Sequence, residues 1–241
     1  AFECPLLLRT TVVLMDRWDA DEGVSCLVKE RCTHFAGATP FLVQLLAAAR
    51  RAGTRLPDLK LFVCGGASVP PSLLREATDY FERAVVTRVY GSTEVPITTV
   101  GVTDCNDAAH AADTDGRAGI ASIKLVDAHG ATATTGEVVA QGPQMLVGYI
   151  HPEDEATVFD DQGYYRTGDL GRWIDDNYLV IVGRSKDIII RNGENIAPKE
   201  VEDLLISHPD IAEIAIVGLP DEKTGERACA VVVPRGSAQP D

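Results

Sequence analysis

The sequence has no long apolar run and few basic residues for its length. No stretch approaches the roughly 20 consecutive apolar residues that a membrane-spanning helix needs, so we expect no membrane span. Lysine and arginine number 22 against 36 aspartates and glutamates, which gives a formal net charge of −14. Such a charge repels nucleic acid and anionic membrane surfaces, so neither is an expected partner.

Cysteine and histidine lack the spacings of metal sites and redox pairs. None of the six cysteines forms a C-x-x-C pair, and none of the five histidines has another histidine four residues away. A zinc ribbon, a thioredoxin-like pair and a helical metal site are therefore not expected. Cys64 ends an apolar run, which is typical of a buried strand. We expect free, buried thiols in a reducing compartment and hence a cytoplasmic location.

The overall composition is that of a globular protein. Hydrophobic residues make up 45% and charged residues 24% of the 241 residues, which excludes a disordered or collagen-like chain. This length fits one large domain or two smaller ones. The chain opens without a methionine or a signal peptide, and apolar runs lie close to both ends. We therefore expect it to be a fragment of a larger protein.

Residues 1–112 alternate between short apolar runs and amphipathic stretches of helical length. This alternation predicts an α/β fold with a partial doubly wound, mostly parallel sheet, in which ligands bind beyond the carboxyl ends of the strands. The predicted helices are 19–31, 41–51 and 72–82, and the predicted strands are 11–15, 33–37, 59–64 and 84–90.

After residue 112 the pattern changes twice. Residues 113–184 predict a small antiparallel β subdomain, and the polar stretch 104–115 before it indicates a surface loop. Residues 185–241 predict a separate small α+β unit, truncated at the end of the chain, with a helix at 198–207. The predicted strands of the β subdomain are 122–126, 136–140, 146–149, 164–166 and 179–183.

A glycine, two hydroxyls and a carboxylate follow the predicted strand 84–90, in the segment Tyr90-Gly-Ser-Thr-Glu94. The backbone and hydroxyls of Gly91, Ser92 and Thr93 can hold a phosphate. Glu94 can hold Mg²⁺, which prefers oxygen ligands and often bridges phosphates, and Tyr90 can stack on a planar base. The alternative for such a segment on its own is an ordinary turn.

Two further segments carry ligand chemistry. In Tyr165-Arg-Thr-Gly-Asp169 a carboxylate on a glycine turn can accept both hydroxyls of a ribose, although an aspartate that caps a turn gives the same pattern. Arg184, Lys186 and Arg191 lie close together and can attract an anion to this acidic chain. A solvated hairpin edge is the alternative for these three cations.

In their order and spacing, these segments resemble the successive core motifs of the adenylate-forming superfamily. That superfamily includes acyl-CoA synthetases, firefly luciferase and the adenylation domains of nonribosomal peptide synthetases. The resemblance covers nearly the whole chain and is closest to bacterial fatty-acid or alicyclic-acid CoA ligases. The matching segments are Gly65-Gly-Ala67, Tyr90–Glu94, Gly136-Glu137, Tyr165–Asp169, Gly183-Arg184 and Asn192–Ile196, followed by Glu200-Val-Glu202.

The resemblance implies an ATP-dependent acyl-CoA synthetase. Such an enzyme joins a carboxylate to AMP, releases pyrophosphate, and passes the acyl group to the thiol of CoA. The implied cofactors are ATP, Mg²⁺ and CoA, and the implied partner is a small-molecule carboxylic acid, while a homodimer stays open.

The resemblance also implies a role for each candidate residue. Thr93 would bind the α-phosphate as it gains charge, and Glu94 would hold Mg²⁺. Lys186 would be the hinge of the rotating lid, and Gly193 would line the tunnel for the pantetheine arm of CoA. The other implied contacts are Gly65, Gly66 and Ala67 with adenine and the acyl group, Tyr90 with adenine, Gly91 and Ser92 with phosphate, Asp169 with ribose, and Arg184 with ribose or phosphate.

Two parts that the superfamily carries are missing from this chain: the phosphate loop that ends in Pro-Lys-Gly, and the lysine in a Gly-Lys-x-x-Arg context. We therefore expect the chain alone to adenylate poorly, because these parts act as a unit, and to expose apolar edges. The positions that would border the acyl group, Thr39, Pro40, Phe41, Gly65, Gly91 and 95–97, are uncharged, which favours an aliphatic or alicyclic acid over an amino acid. Two alternatives stay open: a module that loads a carrier protein, and a non-catalytic AMP- or ATP-binding fragment.

Overall fold

The computed structural model describes residues 7–66, 69–155, 157–175 and 177–236. Three sheets and five helices account for the regular structure given below. Within these ranges, the helices fall short of the length and apolar character that crossing a bilayer requires.

The first sheet has three parallel strands in the order β1-β2-β3, with helices in the connections. This arrangement confirms the expected α/β class. Its elements are α1 (Ala20–Lys29), β1 (His34–Gly37), α2 (Thr39–Arg51), β2 (Leu61–Cys64), α3 (Pro71–Tyr80) and β3 (Val85–Arg88).

Local sequence explains where these helices begin. The Asp19 side chain accepts a hydrogen bond from the backbone N–H of Glu22 at 2.9 Å and caps α1. Both α2 and α3 have proline in the first turn, where a missing N–H costs nothing. Their apolar faces cover the sheet around the buried Phe62, and each fully buried large apolar side chain contributes about 1.5–3 kcal/mol.

The second sheet is antiparallel and has six strands in the order β4-β5-β9-β8-β7-β6. Gly136 lets two of its strands approach closely, because a Cβ there would lie 2.2 Å from the carbonyl oxygen of Val126. The elements are β4 (Thr99–Val100), α4 (Ala108–Asp113), β5 (Arg117–Ala118), β6 (Ser122–Val126), β7 (Thr135–Gln141), β8 (Tyr165–Ile174) and β9 (Tyr178–Arg184).

A third unit follows a short 3₁₀ turn at Ser185–Asp187. It is a four-stranded sheet in the order β11-β10-β13-β12 with one helix packed against β12, and we call it the lid. Its elements are β10 (Ile189–Arg191), β11 (Glu194–Ile196), α5 (Pro198–Leu205), β12 (Ile211–Asp221) and β13 (Gly225–Pro234). The domain division at residues 112 and 184 stays a prediction.

Four expectations from the sequence are wrong in detail. Residues 11–15 and 146–149 are not strands, because neither segment joins a ladder in the described part of the chain. The predicted loop 104–115 contains the helix α4. Cys64 is buried as expected, but Cys105 is exposed, so the expectation of buried thiols fails there. Cys4 lies outside the described residues.

Candidate functional site

The segment Tyr90–Glu94 forms a tight corner directly after β3. The backbone N–H of Tyr90 donates to Oγ1 of Thr99 at 2.8 Å, and the N–H of Val95 donates to Oγ of Ser92 at 3.1 Å. A Cβ on Gly91 would lie 2.7 Å from the backbone nitrogen of Ile97, so this position needs glycine. The corner therefore has a fixed shape that leaves Thr93 exposed at its tip.

Asp169 is the buried carboxylate of the site. It lies in β8 opposite Arg184 of β9, with its Oδ1 3.0 Å from Nε of that arginine. The Tyr90 hydroxyl donates to Oδ2 of Asp169 at 2.7 Å. Burial, followed by the charge of Asp169, raises the pKa of Tyr90 far above its ordinary value, so its hydroxyl remains a donor. One hydrogen bond therefore links the predicted base-stacking residue to the predicted ribose acceptor.

The local backbone presents Asp169 to the site. Gly168 has φ of +70°, a left-handed conformation that favours glycine. Thr167 donates its hydroxyl to the carbonyl of Val138 at 2.8 Å and accepts the N–H of Asp169 at 3.0 Å. The Thr-Gly-Asp turn is thus a bend within β8 that is hydrogen-bonded to the neighbouring strand.

Glu94 has a different environment from Asp169. The Tyr149 hydroxyl donates to Oε1 of Glu94 at 3.1 Å. Burial raises the pKa of the Glu94 carboxyl, but hydrogen bonds from its own N–H, Ser92, Tyr149 and Tyr165 outweigh burial and lower the pKa below its usual value. Glu94 is therefore ionised at neutral pH.

A buried ion pair lies behind the corner, and the sequence analysis did not anticipate it. Nε of Arg88 is 3.2 Å from Oδ1 of Asp115, and Nη1 of Arg88 donates to the carbonyl of Val69 at 2.8 Å. The second Asp115 oxygen, Oδ2, accepts the N–H of Ile181 in β9 at 2.8 Å. Burial raises the pKa of Asp115, and the Arg88 guanidinium opposes that shift. We call this pair the buried hub, because it connects three backbone segments around the site.

A cavity of about 870 Å³ lies between the two N-terminal sheets and the lid. Lid residues such as Lys199, Glu202 and Glu226 also contribute to its wall. Nine predicted site residues line it: Gly66, Tyr90, Gly91, Ser92, Thr93, Glu94, Asp169, Arg184 and Lys186.

Two described site residues, Gly65 and Gly193, are not among the residues that line the cavity. Gly65 follows the last residue of β2, and its N–H donates to the carbonyl of Gly37 at 3.4 Å. Gly193 occupies the exposed turn between β10 and β11 with φ of +81°. Ala67 lies outside the described residues.

The side chains that line the cavity suit a metal ion that arrives with phosphates better than a metal ion held by the protein alone. Within the described ranges no group of three or more histidine, cysteine, aspartate or glutamate side chains could hold a metal ion by itself. An ionised Glu94 next to the hydroxyls of Ser92 and Thr93 fits Mg²⁺ that arrives with phosphates, because Mg²⁺ uses one or two carboxylates in such sites. Tyr90, Asp169 and Arg184 add an aromatic ring and both signs of charge to the cavity wall.

Comparison with known proteins agrees with this geometry. The AMP-binding enzyme family matches residues 1–150, and the AMP-binding enzyme C-terminal domain matches residues 200–241. The medium-chain fatty-acid–CoA ligase of Escherichia coli (strain K12) is 39% identical over 235 residues, covering 95% of this chain and 41% of that protein.

Two solved structures have the same fold as this chain. The amide bond synthetase McbA of Marinactinospora thermotolerans is 33% identical with a TM-score of 0.87, covering 96% of this chain and 48% of that one. The o-succinylbenzoate CoA synthetase of Bacillus subtilis, solved with its acyl-adenylate intermediate, is 27% identical with a TM-score of 0.84, covering 98% and 48%. The chain thus spans less than half the length of these relatives. On its motifs, its fold and these matches, the chain belongs to the AMP-binding enzyme family of the adenylate-forming superfamily.

Proposed function

We propose that this chain forms part of an ATP-dependent acyl-CoA synthetase. The observation that carries the proposal is that Thr93, Glu94 and Asp169 line one cavity. Tyr90 connects them, because its backbone leads into the corner and its hydroxyl bonds to Asp169. The shared cavity supports the proposal that one bound nucleotide contacts all of these residues.

The first half-reaction would join a carboxylate oxygen to the α-phosphorus of ATP and release pyrophosphate. Charge grows on the α-phosphate during that attack, and the Thr93 hydroxyl at the tip of the corner would donate to it. Asp169 would accept the ribose hydroxyls, with Arg184 beside it. Gly91 and Ser92 would complete the phosphate contacts, while Gly65, Gly66 and Ala67 would border adenine and the acyl group.

Mg²⁺ bound with the phosphates would neutralise part of their charge. In this chain Glu94 is the residue proposed to hold it, because its carboxylate lies in the cavity wall and its lowered pKa keeps it ionised. The site would bind the ion together with the nucleotide rather than alone.

The second half-reaction would transfer the acyl group to the thiol of CoA. Lys186 lies in the 3₁₀ turn that joins β9 to the lid, which is the proposed hinge. Gly193 lies away from the cavity wall in this structure. We propose that rotation of the lid about Lys186 brings the Gly193 turn to the pantetheine arm.

The proposed substrate is an aliphatic or alicyclic carboxylic acid. Val95 is fully buried beside the corner, and Phe41 packs against Trp18 with their ring centroids 5.1 Å apart. Neither side chain is among the residues that line the cavity, so the proposal rests on residue type: no acidic group among Thr39, Pro40, Phe41 and 95–97 would pair with an ammonium group.

The acyl acceptor admits a second candidate. A relative with the same fold is named an amide bond synthetase, so this architecture also occurs in proteins with an acceptor other than a thiol. We keep transfer to a carrier protein or an amine as the alternative to CoA.

Isotope exchange between pyrophosphate and ATP tests the first half-reaction in the full-length protein. We expect exchange that depends on a carboxylic acid, with medium-chain or cyclohexane acids more active than amino acids. Release of AMP that depends on CoA would then identify the acceptor. Nucleotide binding by equilibrium dialysis without exchange for any acid would instead favour a non-catalytic binder. The cytoplasmic location and a homodimer stay predictions.

A further inference from the structure

The loop after β7, residues 142–151, contacts the Thr93–Glu94 corner through its backbone. The N–H of Leu146 donates to the carbonyl of Glu94 at 2.9 Å. The sequence analysis expected a strand at 146–149, which would have placed alternate side chains on two faces of a sheet. The irregular backbone instead brings this loop, which we call the corner loop, against Glu94.

Tyr149 is the side chain that the corner loop delivers to Glu94. Its hydroxyl donates to Oε1 of Glu94 at 3.1 Å, while its own N–H donates to Oε1 of Glu155 at 2.8 Å. Gly148 leaves room for that second contact, because a Cβ there would lie 2.8 Å from Oε1 of Glu155. Tyr149 is therefore held at both its backbone and its hydroxyl.

A second tyrosine completes the environment of the carboxylate. Burial, together with Tyr149 and the charge of Glu94, raises the pKa of the Tyr165 hydroxyl far above its ordinary value. The Tyr165 hydroxyl therefore stays protonated near neutral pH and remains a hydrogen-bond donor. Tyr149 and Tyr165 both contribute to the lowered pKa of Glu94.

We propose that Tyr149 is a positioning residue for Glu94, whose carboxylate its hydroxyl holds in the cavity wall for a cation that arrives with the nucleotide. This inference rests on the proposed function. An ionised carboxylate has about four acceptor positions, so one phenol contact at Oε1 leaves capacity for a metal ion or its water ligands. Partners that orient a metal-binding carboxylate in this way strongly affect affinity for the ion.

The substitution Tyr149→Phe in the full-length protein tests the proposal, because it removes one hydroxyl and keeps the ring. We expect the half-saturating Mg²⁺ concentration in pyrophosphate exchange to rise by about tenfold. Binding of Mn²⁺ with ATP, followed by electron paramagnetic resonance, should weaken similarly, while binding of AMP without metal should not change.

Tyr164→Phe is the matched control. Its hydroxyl lies 2.9 Å from Oγ of Ser122, and it neighbours Tyr165 without an observed bond to Glu94. This control should keep the wild-type metal dependence, and Glu155→Ala, which frees the Tyr149 backbone, should change it in the same direction as Tyr149→Phe.

Equal Mn²⁺–ATP affinity in Tyr149→Phe and in the wild type would overturn the proposal, and so would an equal shift in Tyr164→Phe. If none of the carboxylic acids tested supports pyrophosphate exchange by the wild-type protein, the proposed function fails. The resonance measurement would still decide the role of Tyr149.

Discussion

Asp169 is a buried carboxylate whose two partners, Tyr90 and Arg184, differ in solvent exposure. Tyr90 is half-buried, and its hydroxyl contact at 2.7 Å is fixed by the backbone of the corner. Arg184 is 58% exposed at its side chain and contacts the other carboxylate oxygen. A ligand hydroxyl can therefore displace the arginine at small cost, because exposed ion pairs contribute only about 0–1 kcal/mol.

Asp169→Asn is expected to weaken AMP binding by about 10- to 100-fold, because a neutral amide replaces a charged acceptor of the ribose hydroxyls. Isothermal titration with AMP measures the effect, and Asp161→Asn, an exposed carboxylate in the turn before β8, is the control. Equal AMP affinity for both variants would contradict the role of Asp169 in ribose binding.

Among single residues, the sequence predicted those with a local motif and missed those with long-range partners. Thr93, Glu94 and Asp169 belong to short segments whose chemistry is visible in the sequence itself. Arg88 lies in an apolar strand, and its partner Asp115 follows 27 positions later. The only signal was an arginine inside a buried run, which requires a partner without identifying it.

At the scale of elements, His110 of α4 contacts Asp175 in the hairpin between β8 and β9 and so links the helix to that hairpin. Nδ1 of His110 lies 2.5 Å from Asp107, and Nε2 lies 2.7 Å from Asp175. The imidazole stacks on the Tyr178 ring, with the two ring centroids 3.9 Å apart. The Arg117 guanidinium also lies over the Tyr178 ring, 5.2 Å from its centroid. Hydrogen bonds that the imidazole donates to Asp175 and then to Asp107 raise the pKa of His110.

This contact predicts a pH-dependent stability. Since the pKa of His110 is raised on folding, its contribution is complete below the unfolded value of about 6.5 and disappears as the pH rises through the folded value. The difference in unfolding free energy between wild type and His110→Gln should therefore shrink as the pH rises. Urea denaturation from about pH 5 to about pH 8 measures it.

The exposed His129 provides the control for that series. His129→Gln should follow the wild type at every pH. A constant difference between the wild type and His110→Gln across the range would contradict an imidazolium between the two carboxylates.

The elements that sequence periodicity predicted well are those with a continuous apolar face. Helices α1, α2 and α3 formed within two residues of their expected bounds. Segments 11–15 and 146–149 have apolar residues too, but a strand also needs a neighbouring backbone, and sequence pattern does not identify that neighbour. In the second case the backbone bonds to Glu94 instead of a ladder.

At the scale of the whole molecule, the cavity is lined both by the sheets that precede the 3₁₀ turn and by the lid that follows it. The short segment Ser185–Asp187 connects these two parts. The cavity wall includes Arg184 at the end of β9, Lys186 and Asp187 of the connection, and Ile216 and Glu226 of the lid. Movement of the lid would therefore change the cavity wall directly. Few residues separate the body from the lid, so few backbone angles would absorb such a movement.

Lys186→Pro is expected to leave adenylation nearly intact and to suppress thioester formation on the order of 100-fold. Proline fixes φ near −65° and restricts Ser185 as well, so the lid would keep one orientation. Separate assays of pyrophosphate exchange and CoA-dependent AMP release measure the two steps, with Lys186→Ala as the control for loss of charge. Equal loss of both steps would contradict a hinge at this position.

The buried hub has a consequence for hydrogen exchange. The Ile181 amide donates to the Asp115 carboxylate, so its exchange with deuterated solvent requires that contact with the Arg88–Asp115 cluster to open. That single amide therefore reports local opening of the backbone behind the cavity. Slower deuterium uptake at Ile181 on adding AMP would reveal tightening of the pocket from a position that the ligand need not touch.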